Sequence, residues 1–263
     1  MSPNHADGGP AYADGDTFEE THDERSRMSF LEHLDELRRR ILYSVYALVA
    51  SCAVTFYWWQ DMFVYLTSYF HQYGGTLIFT RPMGGFMFSL KISALAGLLI
   101  ASPFIFTQLW LFVAPGLYAR EKKVVVPFVF FSTLFFIGGA AFAHLVAFPA
   151  MWKFFASYEI AGLQYFPTID ETFSLYVKTI IGMGLVFQLP MLVFFLSRFG
   201  IVTAKFMITK FKYAFLGIFI IAALITPSAD VVTQLIFAAP MLALYLISIA
   251  VAWLFGKKRE EAA

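Results

Sequence analysis

Apolar positions in this chain come in long blocks separated by short polar or aromatic segments. The blocks "ILYSVYALVASCAVTFYWW" (41–59) and "MLALYLISIAVAWLF" (241–255) contain no charged residue. A helix needs roughly 20 such residues to cross a hydrocarbon core. The pattern predicts six spans, at about 41–59, 89–113, 124–148, 173–197, 213–226 and 232–255. Lipid offers no partner to an open backbone, so apolar blocks of this length are expected to be helices. The expected fold is all-α: a polytopic membrane protein with six transmembrane helices. Pro103, Pro127, Pro149, Pro190 and Pro240 fall within or at the ends of spans. Each removes a helix hydrogen bond and favours a bend, which points to a concave, kinked bundle. The fifth block is short: Ala214 to Thr226 covers about 20 Å as helix, against roughly 30 Å of hydrocarbon.

Polar signals refine the ends. Ser29 and Glu32 in "SFLE" form a capping box, so a helix is expected to start at Ser29, ahead of the first span. Phe30, Leu34, Leu37 and Ile41 then form one apolar stripe on it. Residues 1–28 hold seven acids and almost no large apolar side chain, and they read as a disordered tail. The expected organisation is a tail at 1–28, a six-span membrane domain at 29–255 and a short tail at 256–263. The segments "YWWQDMFVYLTSYFHQYGG" and "FFASYEIAGLQYFPTIDETF" are aromatic-rich and suit caps that hug an interface.

Composition agrees. Of 263 residues, 59% are hydrophobic and 14% charged, where a soluble domain carries about a quarter charged. The net charge of +1 carries little information, but its distribution does. With a cytoplasmic N-terminus, fifteen of the 19 Lys and Arg fall on the cytoplasmic side. Both termini are therefore expected in the cytoplasm, with the chain integral to the cytoplasmic (inner) membrane. The first 28 residues lack the apolar centre of a cleavable signal peptide. The single cysteine, Cys52, lies in the first span and reads as a packing residue. No "HExxH", "GxSxG" or "GxxxxGK[ST]" pattern occurs. No enzyme activity, cofactor, metal or nucleic-acid partner is expected.

Two charged clusters stand out. "HLDELRRRIL" (33–42) sets acids and His33 against Arg38, Arg39 and Arg40 just before the first span. Glu36 lies four residues before Arg40, and an exposed helical pair of that spacing contributes about 0.3–0.5 kcal/mol. "APGLYAREKK" (114–123) places Glu121 among Arg120, Lys122 and Lys123. Positive-inside topology accounts for the basic residues of both clusters. It does not account for the acids.

These two motifs, with "SPFIFTQLW" (102–110), "FAHLVAFP" (142–149), "GLVFQLP" (184–190) and "TPSADVVTQLIFAAPMLALYL" (226–246), are similar to those of the TatC family, the multispanning subunit of the twin-arginine protein translocase. The resemblance covers about 29–250. It implies a receptor that binds signal peptides bearing two adjacent arginines and helps export folded cargo. By that resemblance Glu36 and Glu121 bind the arginine pair, with His33, Arg38, Arg40 and Tyr118 beside them. Two guanidinium forks call for two separate carboxylates. Single-span subunits of the TatA/TatB class and further copies of the chain are the implied protein partners, and membrane lipid surrounds it. Gln188 stands where the family often has glutamate, and Leu246 where an "LYE" motif often ends in glutamate. Gly84 and Gly85 lie where an acid is common near Pro82. Gln188 and Gln234 are the expected contacts to single-span partners, with packing within or between helices as the alternative for Gln188 and a helix cap for Gln234. Asp230 is expected as a helix N-cap, Lys91 as a snorkelling side chain, and His144, at a position where tyrosine is common, is given no role. The rival reading is a secondary transporter or channel for a small solute. It requires charged side chains or broken helices around a mid-membrane site, and only Gln188 lies near mid-depth.

Overall fold

A computed structural model describes residues 16–72, 77–78, 80–113, 125–157, 167–226 and 230–256, and side chains within the first helix from Leu31 onward. The described residues form helices α1 (Asp16–Phe56), α2 (Trp59–Gln72), α3 (Gly84–Val113), α4 (Val125–Phe142), α5 (Phe148–Ala156), α6 (Ile169–Val186), α7 (Leu189–Arg198), α8 (Ala204–Thr209), α9 (Phe211–Ile225) and α10 (Val231–Phe255). A π-helical segment, Ala143–Ala147, joins α4 to α5. Four helical stretches are long and apolar enough to cross a membrane: Gly84–Val113, Val126–Ala156, Ile169–Arg198 and Val231–Phe255. A fifth is added if α1 and α2, bent by 79° at their junction, count as one span. The sixth expected span is α9, whose 15 residues reach about 22 Å.

The first helix corrects one expectation. It begins at Asp16, well before the capping box at Ser29, and Ser29 lies inside it. Residues 16–28 of the tail expected to be disordered are therefore helical, while 1–15 lie outside the described residues. The physical reason is cooperativity. Once the membrane-side turns exist, each added residue needs only one more hydrogen bond, and the Glu, Arg and Met of this stretch propagate a helix well. A capping box marks where a helix can start. It does not stop one arriving from the other direction.

Long apolar helices associate where small residues let backbones approach. α1 packs on α3 in this way. Ser51 Oγ donates to the Gly97 carbonyl at 2.9 Å, and Thr55 Oγ1 donates to the Ser93 carbonyl at 2.8 Å. A Cβ on Gly97 would lie 2.7 Å from Cys52 Sγ, so this crossing requires glycine. α4 meets α6 equally closely, since a Cβ on Gly139 would lie 2.6 Å from the Met183 carbonyl oxygen. Cys52 is the packing residue that its position suggested.

The prolines act unequally. Pro103 and Pro240 sit inside unbroken helices. Pro149 follows the π segment, and Pro190 follows the break at Phe187–Gln188 that separates α6 from α7. At the far end of the bundle, α2 runs almost perpendicular to α1 and buries Leu66, Tyr69 and Phe70. Phe70, Phe88, Phe148, Trp152 and Phe173 form the aromatic centre there, with Phe88 and Phe173 rings 4.6 Å apart and Phe148 and Trp152 5.6 Å apart. A parallel bridge between Ile78 and Thr168 ties the two aromatic-rich segments, through Ile169 N to the Ile78 carbonyl at 3.1 Å.

Candidate signal-recognition site

The α1–α3 crossing carries the candidate site at the end opposite α2. Helical spacing puts His33, Glu36, Leu37, Arg40 and Ile41 on the face of α1 that meets α3. Arg40 Nη2 donates to Glu36 Oε1 at 3.1 Å, and Arg40 Nη1 donates to Gln108 Oε1 at 3.1 Å. The pair is largely covered, with side-chain exposures of 21% for Arg40 and 27% for Glu36. Charge-assisted bonds in such surroundings contribute more than the exposed helical pair that spacing alone describes. Among the described residues Glu36 Oε2 makes no hydrogen bond, and Arg40 Nε is buried without a partner. His33 stacks on Phe112, ring centroids 4.5 Å apart and 19° from parallel. Below this polar step an apolar groove of about 300 Å³ continues along both helices, lined by Leu37, Ile41, Leu48, Ile105, Leu109 and Phe112.

The structure thus brings together Glu36, Arg40 and His33. Arg38, two positions on from Glu36, is exposed and lies on another face of the helix. Glu121 and Tyr118 lie outside the described residues. α3 ends at Val113, one residue beyond the Phe112 ring on which His33 stacks. Two members of the site were not assigned by sequence reasoning: Gln108, which is buried, and Phe112. The available signal was a polar amide inside an otherwise apolar span end, which in a membrane helix marks a constrained position.

The other candidates have internal partners. Gln188 Nε2 donates to the Ser132 carbonyl at 3.0 Å, while Ser132 Oγ accepts from Trp110 Nε1 at 2.9 Å. One buried serine therefore joins α3, α4 and the α6–α7 break. Gln234 Nε2 donates to the Phe219 carbonyl at 2.9 Å and ties α10 to α9. Each amide nitrogen gives one hydrogen bond within the chain; for Gln188 this is the packing alternative, while Gln234 packs rather than caps. Asp230 caps α10 through Thr233 N at 2.7 Å, as its type suggested. Lys91 does more than snorkel, since it pairs with Asp170 at 3.2 Å. His144, given no role, lies in the π segment between three tyrosines. Tyr176 Oη bonds Nδ1 at 2.9 Å, Tyr65 Oη bonds Nε2 at 3.2 Å, and the Tyr69 hydroxyl donates to its carbonyl.

Comparison with known proteins settles the family. The model of the family described as Sec-independent protein translocase protein (TatC) matches residues 32–240. This chain belongs to the TatC family. Its Koribacter versatilis relative, a Sec-independent protein translocase protein TatC, is 40% identical over 247 residues, spanning 89% of this chain and 90% of the relative. A TatC of Helicobacter pylori strain J99 is 41% identical over 220 residues, spanning 84% and 87%. A crystal structure titled as the twin-arginine translocase receptor TatC superposes with a TM-score of 0.75 at 32% identity, covering 84% of this chain and 97% of that one. The chain is accordingly a TatC subunit of the Sec-independent, twin-arginine translocase, a membrane-embedded transport component rather than an enzyme. Membership in this family does not favour the solute-transporter reading.

Proposed function

We propose that this TatC subunit is the translocase's receptor for twin-arginine signal peptides, with Glu36 and Glu121 as the two carboxylates that take the arginine pair. The observation that carries the reading is that Glu36 already binds a guanidinium in a largely covered site. Arg40 occupies that carboxylate while tethered to Gln108 on α3. An incoming signal arginine exchanges one guanidinium for another at Glu36, so little desolvation is added at that step. The groove below accepts the signal's apolar stretch, whose burial adds about 25 cal/mol per Å². α3 ends at Val113 beside His33, and Glu121 follows eight positions later in the sequence, which supports a Glu121 that serves the same mouth.

The same reading takes α1, α3, α4–α5, α6–α7, α9 and α10 as six spans, which puts both termini on the cytoplasmic side of the cytoplasmic membrane. The described contacts support it. Arg38–Arg40, Arg198 and Lys205 share the Glu36 end of the bundle, while Lys91 and Lys178 lie at the other. Single-span TatA/TatB-class subunits and further copies of the chain complete the working complex, with Gln188 and Gln234 as contacts for single-span helices.

Crosslinking of a twin-arginine precursor to full-length protein in membranes tests the receptor role. Glu36→Ala and Glu121→Ala are each expected to lower crosslinking at least about tenfold, the loss of one charge-assisted bond of about 1.5–3 kcal/mol. A Lys-Lys signal is expected to crosslink less than Arg-Arg, because lysine lacks the planar fork. Unchanged crosslinking in both variants refutes the assignment.

A further inference from the structure

A second apolar groove lies between α4, α7 and α10, at the same end of the bundle as Glu36 but apart from it. Its volume is about 370 Å³. Phe194 forms the floor, its ring 5.5 Å from that of Phe128 and 5.0 Å from that of Phe255. Met191 and Pro190 close it toward the bundle centre, and its lining residues are all apolar. Phe131 on the α4 wall is 47% exposed, so the groove opens outward. The walls stand on either side of one phenylalanine, which makes the slot narrower than the roughly 10–12 Å of a helix with its side chains.

Charge marks one mouth of this slot. Pro190, Phe194 and Arg198 follow one another at four-residue spacing, so they lie along one face of α7. Arg198 therefore stands one turn beyond the floor, about 6 Å along the axis. It is exposed, and among the described residues it makes no ion pair. α4, α7 and α10 contain no acidic residue between their first and last positions.

We propose that this groove binds an anionic glycerophospholipid, with one acyl chain along Phe131, Phe194 and Phe255 and the phosphate on the Arg198 guanidinium. A narrow, wholly apolar slot fits a single hydrocarbon chain, and an exposed guanidinium fork at its mouth fits a phosphate. The negative headgroup supplies what a zwitterionic lipid offsets with its own ammonium. The site is independent of the Glu36 reading, since it uses none of those residues.

Native mass spectrometry of the full chain in detergent, titrated with dioleoyl phosphatidylglycerol or dioleoyl phosphatidylcholine, tests this. The wild type is expected to retain one phosphatidylglycerol about fivefold more tightly than phosphatidylcholine, the factor one basic residue near an anionic lipid supplies. Arg198→Gln is expected to remove the preference, Arg198→Lys to keep most of it, and Lys178→Gln, at the other end, to leave it intact. The acyl contact is read separately in Phe131→Trp, whose added fluorescence is expected to be quenched by phosphatidylglycerol with brominated chains. Equal binding of the two lipids by wild type, a preference that survives Arg198→Gln, or absence of added quenching in Phe131→Trp overturns the proposal.

Discussion

Arg40 holds the Glu36 end of the bundle together through two bonds, one along its own helix and one across to α3. Gln108 is the weaker-looking partner and the more revealing one. Gln108→Leu removes the acceptor from a guanidinium that is already short of one, since Arg40 Nε is buried without a partner. A loss of about 1–3 kcal/mol is expected, read as a lower thermal denaturation midpoint in detergent. Arg38→Gln, on an exposed side chain of the same motif, is expected to stay within about 0.5 kcal/mol of wild type. Sequence made Glu36 and Arg40 legible because their spacing places both on one face of a helix. The contact to Gln108 spans 68 positions, and helical period carries no information about a partner at that separation. His144 was illegible for a related reason. Its three tyrosines come from α2 and α6, and the π segment that turns its ring toward them leaves no mark in an apolar run.

At the level of elements, the apolar blocks predicted α3 and α10 well, because long uncharged runs with few breakers leave one solution in lipid. Prolines were a poorer guide. The same residue type lies inside continuous α3 and α10, yet follows a π segment at Pro149 and a break at Pro190. Whether a proline breaks its helix depends on what else can satisfy the freed carbonyl. The start of α1 was misplaced because a cap signal is local while helix growth is cooperative. Close crossings give a sharper test of element packing. Gly97→Ala drives a methyl group into Cys52 and is expected to cost about 1–3 kcal/mol in thermal stability. Gly138→Ala meets nothing within 4 Å and is expected to be neutral, or to stabilise α4 by up to about 1 kcal/mol. Equal effects of the two would contradict the α1–α3 geometry.

Across the whole molecule, α9 sets a mismatch that the other long helices do not share. Gly84–Val113 has 30 residues and α9 has 15, so their axial lengths differ by about 22 Å. Gln234 ties α9 to α10 at the edge of the bundle, where α9 buries only Ile218 and Ala222 and leaves its other face outward. Reconstitution in phosphatidylcholines of increasing acyl length is expected to give greatest thermal stability in thin bilayers and a progressive loss in thick ones. A flat profile would show that α9 is shielded from lipid along its full length. The 79° elbow between α1 and α2 governs a different property. α2 lies crosswise and has its inner side set among Phe70's aromatic neighbours. Sliding of α1 along its own axis would wrench that crossbar out of its seat. A pull along the axis of α1 is therefore resisted at its far end by the packing of α2, which holds the first helix at a fixed depth.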